Sequence, residues 1–545
     1  MKLINYKNWK DIYKNSIDEI EELINDLRFF LIKHNENNGG HLGSNLGVLE
    51  ITVGLLNYFK LDETKIIFDT GHQSHFYKLL TGRIEDFANI KKFEGISPFQ
   101  EIRESQYDHI SSGHSSTSLS FALAHKISDL QKNIIAIIGD AALLNGVAFE
   151  GLINIANQSE KIIIIYNDNG HGIGENKLKI KDSENFFKSL NLEYVFCQNG
   201  NNIVDVLNAI KKASQFEKTT VIHFKTEKSF GYDHNNSRTA NHNISLIEDK
   251  SKKNLDVIIN KFYEKNINSD KSIKLISPGM IESNLLFDLK SKFPKNVIDV
   301  GINEEHAVLL AAGLAINNQK PVVSIYSTFF QRTFDQLIHD VIRNSLAVTF
   351  LIEKVGLSIG NGVSHHGIYD LSMCQNIENK IIVQPRNEFE LNRVLEISKE
   401  NNLSPFFIRL ENFVKENNHQ KDNFDIGKYE SVLYDENNEN TIITYGENCN
   451  IFEKIIRENE FPINLINARW LHTIDEKSVE KVKNTKIYVY EHVIYNGSLA
   501  SLFKKLNIQI IDLNFKKNKI GHGDMESLLK ENNLWYNDVI KYILN

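Results

Sequence analysis

Short apolar runs alternate with longer stretches of helical periodicity along the chain, a pattern that predicts an α/β protein with mainly parallel sheets. Polar turns bound these runs, as is typical of buried strands. The predicted strands are Ile134–Ile138, Lys161–Tyr166, Thr219–Phe224, Ser272–Ile276, Val322–Tyr326, Val348–Ile352, Lys380–Val383, Thr441–Tyr445, Ile463–Ile466 and Lys486–Tyr490.

Two polar stretches, Asp233–Asn254 and Lys415–Asn423, interrupt the alternation and are interpreted as linkers. They leave three segments, each long enough to form its own sheet and core. We therefore expect three domains, at residues 1–240, 255–414 and 424–545. The first 23 residues predict a charged amphipathic helix, because they lack the uninterrupted apolar core of a signal peptide.

Composition narrows the class of protein. The 545 residues are 41% hydrophobic and 24% charged, with no stretch that could cross a bilayer, so we expect a globular protein away from membranes. The net charge of −8 argues against nucleic-acid binding. Cys197, Cys374 and Cys449 lie far apart and form no CxxC pair, which fits a reducing cytoplasm better than a disulfide scaffold or a zinc site.

One central segment places polar side chains after two successive predicted strands. Asp140 follows the first strand and opens a helix, and Asn169 ends the Asn-Asp-Asn run after the second. Ligands of open α/β sheets bind at this edge. An Asp and an Asn offer the oxygen ligands that Mg²⁺ prefers, and a helix N-terminus suits an anion such as a phosphate. Taken alone, Asp140 would be an ordinary helix start, and the Asn-Asp-Asn run would be an ordinary turn.

This segment resembles the diphosphate-and-magnesium motif of thiamine-diphosphate enzymes, although Ala141 stands where that family usually has a glycine. The resemblance implies that Glu304 holds the pyrimidine ring of thiamine diphosphate and tunes its protonation. It also implies that Phe329 stacks on that ring. Without the resemblance, Glu304 would be a favourable charge at a helix start and Phe329 a core aromatic.

Histidines in loops containing Gly, Ser or Thr indicate a site that handles protons near neutral pH. Each histidine alone would be an ordinary surface residue. Together with their flanking segments, they resemble the 1-deoxy-D-xylulose-5-phosphate synthase family more closely than transketolase proper. The matching segments are GGHLGSNLG, FDTGHQ, LLTGR, ESQYD, GHSSTS, YSTFFQRTFDQLIHDV, SHHGIYDLS, NARWLHTID, YEHVIYNGSLAS and IGHGDMESLLKE.

The family joins pyruvate to glyceraldehyde 3-phosphate with loss of CO₂, using thiamine diphosphate and Mg²⁺, and its members are homodimers with three α/β domains. The resemblance implies metal ligands at Asp140, Asn169 and the backbone carbonyl of His171. The implied cofactor contacts are His72, Gly113, His114, Ser115, Asp140, Ala141, Ala142, Asn169, Tyr232, Glu304 and Phe329. The implied catalytic and substrate contacts are Glu304, His41, Tyr326, Arg332, Asn361, His365 and Arg409.

Three departures from the family bear on the substrate. Asn361 stands where the family usually has Asp, and the stretch IRLENF retains the first family arginine as Arg409 but has Asn412 in place of the second. The segment between Asn169 and a predicted helix near Glu184 is also shorter than in the family. A charge-assisted hydrogen bond contributes roughly 1.5–3 kcal/mol, so losing one phosphate contact weakens acceptor binding about tenfold to a hundredfold.

Two other functions stay open on the sequence. A divergent relative would keep the cofactor and use another donor or an unphosphorylated aldehyde, as the departures at Asn361 and Asn412 indicate. A non-catalytic homologue would bind cofactor only, or act as a structural partner. The presence of Glu304, Asp140 and Asn169 argues against this last class.

Overall fold

The computed structural model describes residues 6–174, 178–232, 241–242, 244, 250–282, 285–411, 424–517 and 519–545. Most of each predicted linker, and Asn412, lie outside these residues. The chain forms two compact units. The first comprises Met1–Glu248 with Gly301–Asn303, and the second comprises Asp249–Val300 with Glu304–Asn545.

The first unit contains a five-stranded parallel sheet with strand order β1-β2-β3-β5-β4. Its strands are β1 (Thr64–Phe68), β2 (Asn133–Gly139), β3 (Ile163–Asp168), β4 (Glu193–Cys197) and β5 (Thr220–Lys225). Its helices are α1 (Ile17–Asn38), α2 (Gly43–Leu46), α3 (Leu49–Tyr58), α4 (His75–Lys78), α5 (Ser118–Ser128), α6 (Asp140–Leu143), α7 (Gly146–Ala156), α8 (Ser183–Ser189) and α9 (Ile203–Ser214).

The second unit contains two sheets. The first, with order β10-β11-β9-β8-β6-β7, is parallel throughout. Its strands are β6 (Ile273–Ser277), β7 (Val297–Asp299), β8 (Lys320–Tyr326), β9 (Thr349–Glu353), β10 (Ile381–Val383) and β11 (Phe406–Leu410). The second sheet has order β12-β14-β13-β15-β16 and is parallel except for the edge strand β12. Its strands are β12 (Glu430–Leu433), β13 (Asn440–Thr444), β14 (Ile463–Asn467), β15 (Lys486–Ile494) and β16 (Ile511–Phe515).

Helices flank both of these sheets. They are α10 (Lys250–Ser269), α11 (Phe287–Lys292), α12 (Glu304–Ile316), α13 (Ser327–Phe330), α14 (Phe334–Gln336), α15 (Asp370–Gln375), α16 (Glu388–Glu400), α17 (Gly446–Asn459), α18 (Glu476–Lys481), α19 (Leu499–Lys505), α20 (Met525–Glu531) and α21 (Tyr536–Leu544).

The two sheets of the second unit share one hydrophobic core. Phe350 and Phe407 from one sheet belong to the same buried cluster as Ile443 and Val489 from the other. Burial of apolar surface between the sheets therefore holds residues on both sides of the second predicted linker in one unit. The predicted division into three domains stays a prediction.

The α/β class with mainly parallel sheets is confirmed, and each predicted strand coincides with an observed one. Six observed strands, β1, β4, β7, β11, β12 and β16, are absent from the predicted set. In β4, Phe196 faces outward and half of its side chain is exposed, which is typical of an edge strand. In β11, Arg409 interrupts the apolar run, yet all five residues of the strand are buried. Among the described helices, none is both long and apolar enough to cross a bilayer.

Candidate active site

The predicted site residues fall in both units, and each set is described within its own unit. In the first unit, Asp140 and Asn169 follow neighbouring parallel strands. Gly139 at the end of β2 is the register partner of Asn167 in β3. Asp140 begins α6 and is 5% exposed. The structure thus brings both residues to the same edge of the sheet.

Asn169 and its neighbour Asp168 have different hydrogen-bond partners. Asn169 Oδ1 accepts a hydrogen bond from the backbone N–H of His171 at 2.9 Å. Burial would raise the pKa of Asp168, but hydrogen bonds from His223 and Lys225 outweigh it and hold the pKa at about 2. Asp168 is therefore ionised and already committed to two cationic or polar partners.

A metal at this edge would depend on amide and carbonyl oxygens as well as carboxylates. Within the described ranges, no group of three or more His, Cys, Asp and Glu side chains is arranged to hold a metal ion. The combination of Asp140, Asn169 and a backbone carbonyl is instead an all-oxygen donor set. Such a set is the kind that Mg²⁺ accepts, with phosphate and water completing its octahedron. The residues present therefore fit a magnesium ion bound together with a diphosphate.

Asp69 joins the predicted cofactor loops to one another. Its carboxylate accepts hydrogen bonds from the backbone N–H of Ser116 at 2.7 Å and of Ser118 at 3.1 Å. Ser116 Oγ donates in turn to the carbonyl of Ala142 at 3.1 Å. In this loop Gly113 has a φ of +144°, a conformation that side-chain-bearing residues rarely adopt. These bonds fix the GHSSTS loop, including half-buried His114 and Ser115, beside Ala141 and Ala142.

Asn45 joins the loops that carry His41 and His72. Its Nδ2 donates to the backbone carbonyls of both histidines at 2.8 Å, and its Oδ1 accepts from the backbone N–H of His75 at 3.0 Å. Asn45 is fully buried, so each of these bonds satisfies a group that water cannot reach. A single amide thus sets the spacing of three histidines.

Four histidine rings cluster in the first unit. The ring centroid of His41 lies 5.9 Å from His72, 6.3 Å from His75 and 5.4 Å from His242. Burial lowers the pKa of all four, to about 3 for His72. Each ring is therefore neutral near pH 7. The Nδ1 atom of each ring is buried without a hydrogen-bond partner among the residues that the structure describes. Such a cluster of unsatisfied nitrogens fits a polar ligand.

His75 and His242 were not among the predicted site residues. His75 lies three residues after His72, a spacing that could have indicated it. His242 falls inside the first predicted linker, where a polar stretch gave no sign of a buried ring.

Two lysines, the half-buried Lys91 and the buried Lys228, lie near these histidines. Burial lowers the pKa of Lys91 to about 8 and that of Lys228 to about 7. Lys228 Nζ donates to the carbonyls of Gly172 and Ile173 at 2.9 Å, and its segment also carries Tyr232. Cations in a partly desolvated site favour an anionic ligand. No pattern in the sequence distinguishes these lysines from the many on the surface.

In the second unit, Glu304 opens α12 and is 3% exposed. Burial raises its pKa, opposed by Arg332, whose Nη1 lies 3.5 Å from Glu304 Oε2. The carboxyl group is therefore more easily protonated than an exposed glutamate. A buried carboxyl of this kind can share a proton with a ring nitrogen, which is the role expected of it.

In the same unit, His365 lies beside one of two stacked aromatic rings. Phe329 stacks on Tyr326 with centroids 5.8 Å apart, and the ring of His365 stands edge-on to Phe329 at 5.7 Å. Ser364 Oγ lies 2.9 Å from His365 Nδ1. The Lys354 ammonium lies 4.1 Å from the centroid of the Tyr326 ring. The structure thus groups Tyr326, Phe329 and His365, with a cation beside them.

Arg409 lies in a different environment from this group. It is 2% exposed, and its Nε and Nη2 donate to Asp370 at 2.7 and 3.2 Å. Its Nη1 donates to Gln384 at 2.5 Å. The guanidinium is therefore held in a buried ion pair. Asn361 is half-buried and precedes a short helical turn, Gly362–Ser364, that leads to His365.

Comparison with known proteins covers the whole chain. The family model described as 1-deoxy-D-xylulose-5-phosphate synthase matches residues 3–179. The models of the transketolase thiamine diphosphate binding domain and pyrimidine binding domain match residues 118–258 and 252–412. The 1-deoxy-D-xylulose-5-phosphate synthase of Malacoplasma penetrans is 34% identical, over 100% of this chain and 99% of the relative. That of Clostridium tetani is 32% identical, over 99% and 98%.

Proposed function

Because the chain belongs to the 1-deoxy-D-xylulose-5-phosphate synthase family, we propose that it decarboxylates pyruvate and transfers the two-carbon unit to glyceraldehyde 3-phosphate. The matched domains make it a thiamine-diphosphate-dependent transferase. The observation that carries the proposal is the buried, readily protonated carboxyl of Glu304 at the start of α12.

Several residues of the chain would bind the metal ion and the cofactor. Asp140, Asn169 and the His171 carbonyl would hold Mg²⁺ and, through it, the diphosphate. His72, the loop Gly113–Ser115, Ala141, Ala142 and Tyr232 would contact the cofactor, and Phe329 would stack on its pyrimidine. When bound, thiamine diphosphate supplies an acidic carbon that becomes a nucleophile toward the keto group of pyruvate. Glu304 would hold the proton at the pyrimidine nitrogen that governs this acidity.

Histidines and an arginine would handle the substrates. His41 is neutral because burial lowers its pKa, so its ring can donate a hydrogen bond from one nitrogen and accept one at the other. His365 would contact the acceptor. Arg332 and Tyr326 would bind the acceptor phosphate, a role that suits the paired N–H donors of a guanidinium.

The test is to incubate the purified protein with thiamine diphosphate, Mg²⁺, pyruvate and glyceraldehyde 3-phosphate. We expect CO₂ and a five-carbon ketose phosphate in equal amounts, identified by mass spectrometry. Omitting the aldehyde or the protein provides the controls. Absence of both products would refute the proposal.

A second candidate function is the same chemistry with an unphosphorylated aldehyde or another donor. The ion pair of Arg409 with Asp370 favours it, because this arginine is already bound to a buried carboxylate. Asn361 replaces an Asp of the family pattern and so removes a negative charge. Asn412 replaces an Arg and so removes a positive charge. The acceptor preference separates the two candidates.

Magnesium, a homodimer and a cytoplasmic location complete the proposal. The three cysteines are free and buried, as a reducing compartment allows. Dialysis against a chelator should abolish activity, and Mg²⁺ should restore it. Light scattering should give twice the mass of one chain; a monomer that remains active would refute the dimer.

A further inference from the structure

Residues 354–369, here called the His365 loop, connect β9 to α15 and are closed at their base. Gly356 and Gly367 pair as an antiparallel bridge, with backbone N···O distances of 2.8 and 2.7 Å. The apolar residues that follow the two glycines are buried in the core of the sheet formed by β12–β16, here called the C-terminal sheet; they are Leu357 and Ile368. Backbone pairing and apolar burial therefore fix the two ends of the loop, and its tip depends on other contacts.

His366 makes two hydrogen bonds from within this loop. Its Nδ1 accepts from the backbone N–H of Ser358 at 3.0 Å, and its Nε2 lies 3.0 Å from the carbonyl oxygen of Gly521. The ring is 3% exposed, and burial lowers its pKa in spite of the bond to Gly521. The imidazole is therefore neutral. Because Nδ1 accepts, the proton is on Nε2 and is donated to Gly521.

The carbonyl that His366 contacts belongs to residues 520–522, a segment between β16 and α20. Ile520 is buried in the core of the C-terminal sheet, which fixes the segment to that sheet. The ring of His522 lies so close to Gly362 that a Cβ added there would overlap Nδ1. Gly362 begins the short turn at the tip of the His365 loop. The 520–522 segment thus contacts the loop at two places.

A second element, α13, also contacts the tip of the loop. Thr328 Oγ1 donates to the carbonyl of Ser364 at 2.9 Å. Ser364 precedes His365, whose ring stands edge-on to Phe329 of the same helix. Two elements therefore hold the part of the loop that carries His365, and His366 provides the hydrogen bond to the 520–522 segment.

We propose that His366 is a positioning residue that holds the His365 loop in the arrangement that binds the acceptor aldehyde. Both of its ring nitrogens bond to backbone groups, so it acts through the loop and not on the substrate. The C-terminal sheet thereby contributes to the site by fixing the loop. This inference rests on the proposed function, which assigns the acceptor contact to His365.

The effect of losing these bonds should fall on the acceptor. Without His366, the N–H of Ser358 and the carbonyl of Gly521, both partly buried, lack this partner. An unsatisfied group disfavours the arrangement that leaves it unsatisfied, so other arrangements of the loop become populated. A ligand that binds one arrangement loses affinity in proportion to its remaining population. The proposed cofactor contacts lie outside the loop, so cofactor binding should be unaffected.

The first test is the variant His366→Phe, which keeps a buried ring and removes both hydrogen bonds. We expect the KM for glyceraldehyde 3-phosphate to rise about tenfold or more, and the KM for thiamine diphosphate to stay within about twofold of wild type. A general loss of structure would raise both. A folded variant whose acceptor KM is unchanged would overturn the inference.

His472→Phe is the matched control. Its Nδ1 also accepts a hydrogen bond from a backbone N–H, that of Ile382 in β10, at 3.2 Å. This variant should leave the acceptor KM unchanged, and an equal rise in both variants would contradict a specific role of His366. If circular dichroism shows that His366→Phe does not fold, His366→Asn carries the same expectation, because its shorter side chain does not reach Gly521.

Hydrogen–deuterium exchange without substrates separates this inference from the enzymatic proposal. In the full-length wild type, the amide of Ser358 should exchange slowly, and in His366→Phe at least about tenfold faster. Peptides from β13 should exchange equally in both. Rapid exchange at Ser358 in the folded wild type would overturn the inference, even for an active enzyme. An inactive wild type with a protected Ser358 amide would refute the enzymatic proposal and not the link between the loop and residues 520–522.

Discussion

Glu304 and the histidines around His41 are buried, and burial moves their pKa values in opposite directions. The pKa of the carboxyl rises and those of the imidazoles fall, so all of them favour the neutral form. Neutral groups can donate or accept hydrogen bonds without the cost of a buried charge, and the shifted pKa values set which partner holds a shared proton. This property of single residues is what the proposed chemistry uses.

Replacing Glu304 with Gln should lower the rate of CO₂ release by about 10²- to 10⁴-fold, the range typical of a lost general acid–base group. The substitution keeps the shape and removes the shared proton. Glu305→Gln, at the next position of α12, is the matched control and should retain nearly full activity. If both variants lost a similar part of the rate, the cause would be a general change at the start of α12, and the specific role of Glu304 would be contradicted.

The free energy of unfolding should also depend on pH through the ionisation of Glu304. The folded-state pKa is raised above the ordinary value of 4.5, so the folded protein binds a proton that the unfolded chain releases. This contribution is complete below pH 4.5 and is lost as the pH rises through the folded-state pKa. Urea unfolding from pH 4 to 8 should show that wild type loses stability relative to Glu304→Gln as pH rises. A constant difference between the two would contradict the raised pKa.

Arg409 and Arg332 should respond differently to substitution. Arg409→Ala leaves Asp370 buried without its partner, so unfolding free energy should fall by about 3–5 kcal/mol. Arg332→Ala should mainly raise the KM for glyceraldehyde 3-phosphate and change stability less. Denaturant unfolding and steady-state kinetics on both variants check this. A stable Arg409→Ala protein with a raised acceptor KM would instead make Arg409 a substrate contact.

Hydrogen bonds between loops organise the first unit at the level of its elements. Asn45 joins the loops of His41 and His72, and Asp69 joins the end of β1 to the loop that begins at Gly113. Both side chains bond to backbone groups, so they fix loop positions and leave the adjacent side chains available to a ligand. The strands define the edge of the sheet, and Asn45 and Asp69 fix the positions of the loops that follow the strands at that edge.

Removing Asp69 should therefore loosen cofactor binding without removing a cofactor contact. Asp69→Ala leaves two buried N–H groups unsatisfied, which should cost about 1–3 kcal/mol each and raise the KM for thiamine diphosphate. Asp129→Ala is the control, because the bond that its carboxylate accepts within the described part of the chain is a local one, from the backbone N–H of Gln131. An unchanged cofactor KM in a stable Asp69→Ala protein would show that the loop keeps its position without it.

The sequence predicts strands and strand ends better than it predicts the residues between them. Ile-rich runs indicate β2 and β3, and the polar residues that follow them meet at one sheet edge because parallel strands end together. The roles of Asn45 and Asp69 depend on pairing between segments distant in sequence, which periodicity does not contain. Lys91, Lys228 and His242 belong to polar stretches, and only the fold buries them. For Arg409, the family pattern predicts a substrate contact, but the structure shows the side chain in an ion pair with Asp370.

For the whole molecule, the departures from the family pattern concern the aldehyde and not the cofactor. Family membership rests on relatives aligned over essentially the full chain. The substrate depends on a few charges that differ from the family pattern, at Asn361 and at Asn412, which lies outside the described residues. Cofactor chemistry and acceptor choice are therefore separable properties of this chain.

The most direct test is the ratio of kcat/KM for glyceraldehyde 3-phosphate to that for glyceraldehyde, measured side by side with pyruvate as donor. The proposed contact of Arg332 with the phosphate would contribute at least one charge-assisted hydrogen bond, so the ratio should be about ten or more. Arg332→Ala should bring it close to one. A wild-type ratio at or below one, with CO₂ still released, would contradict the proposed acceptor and support the divergent enzyme.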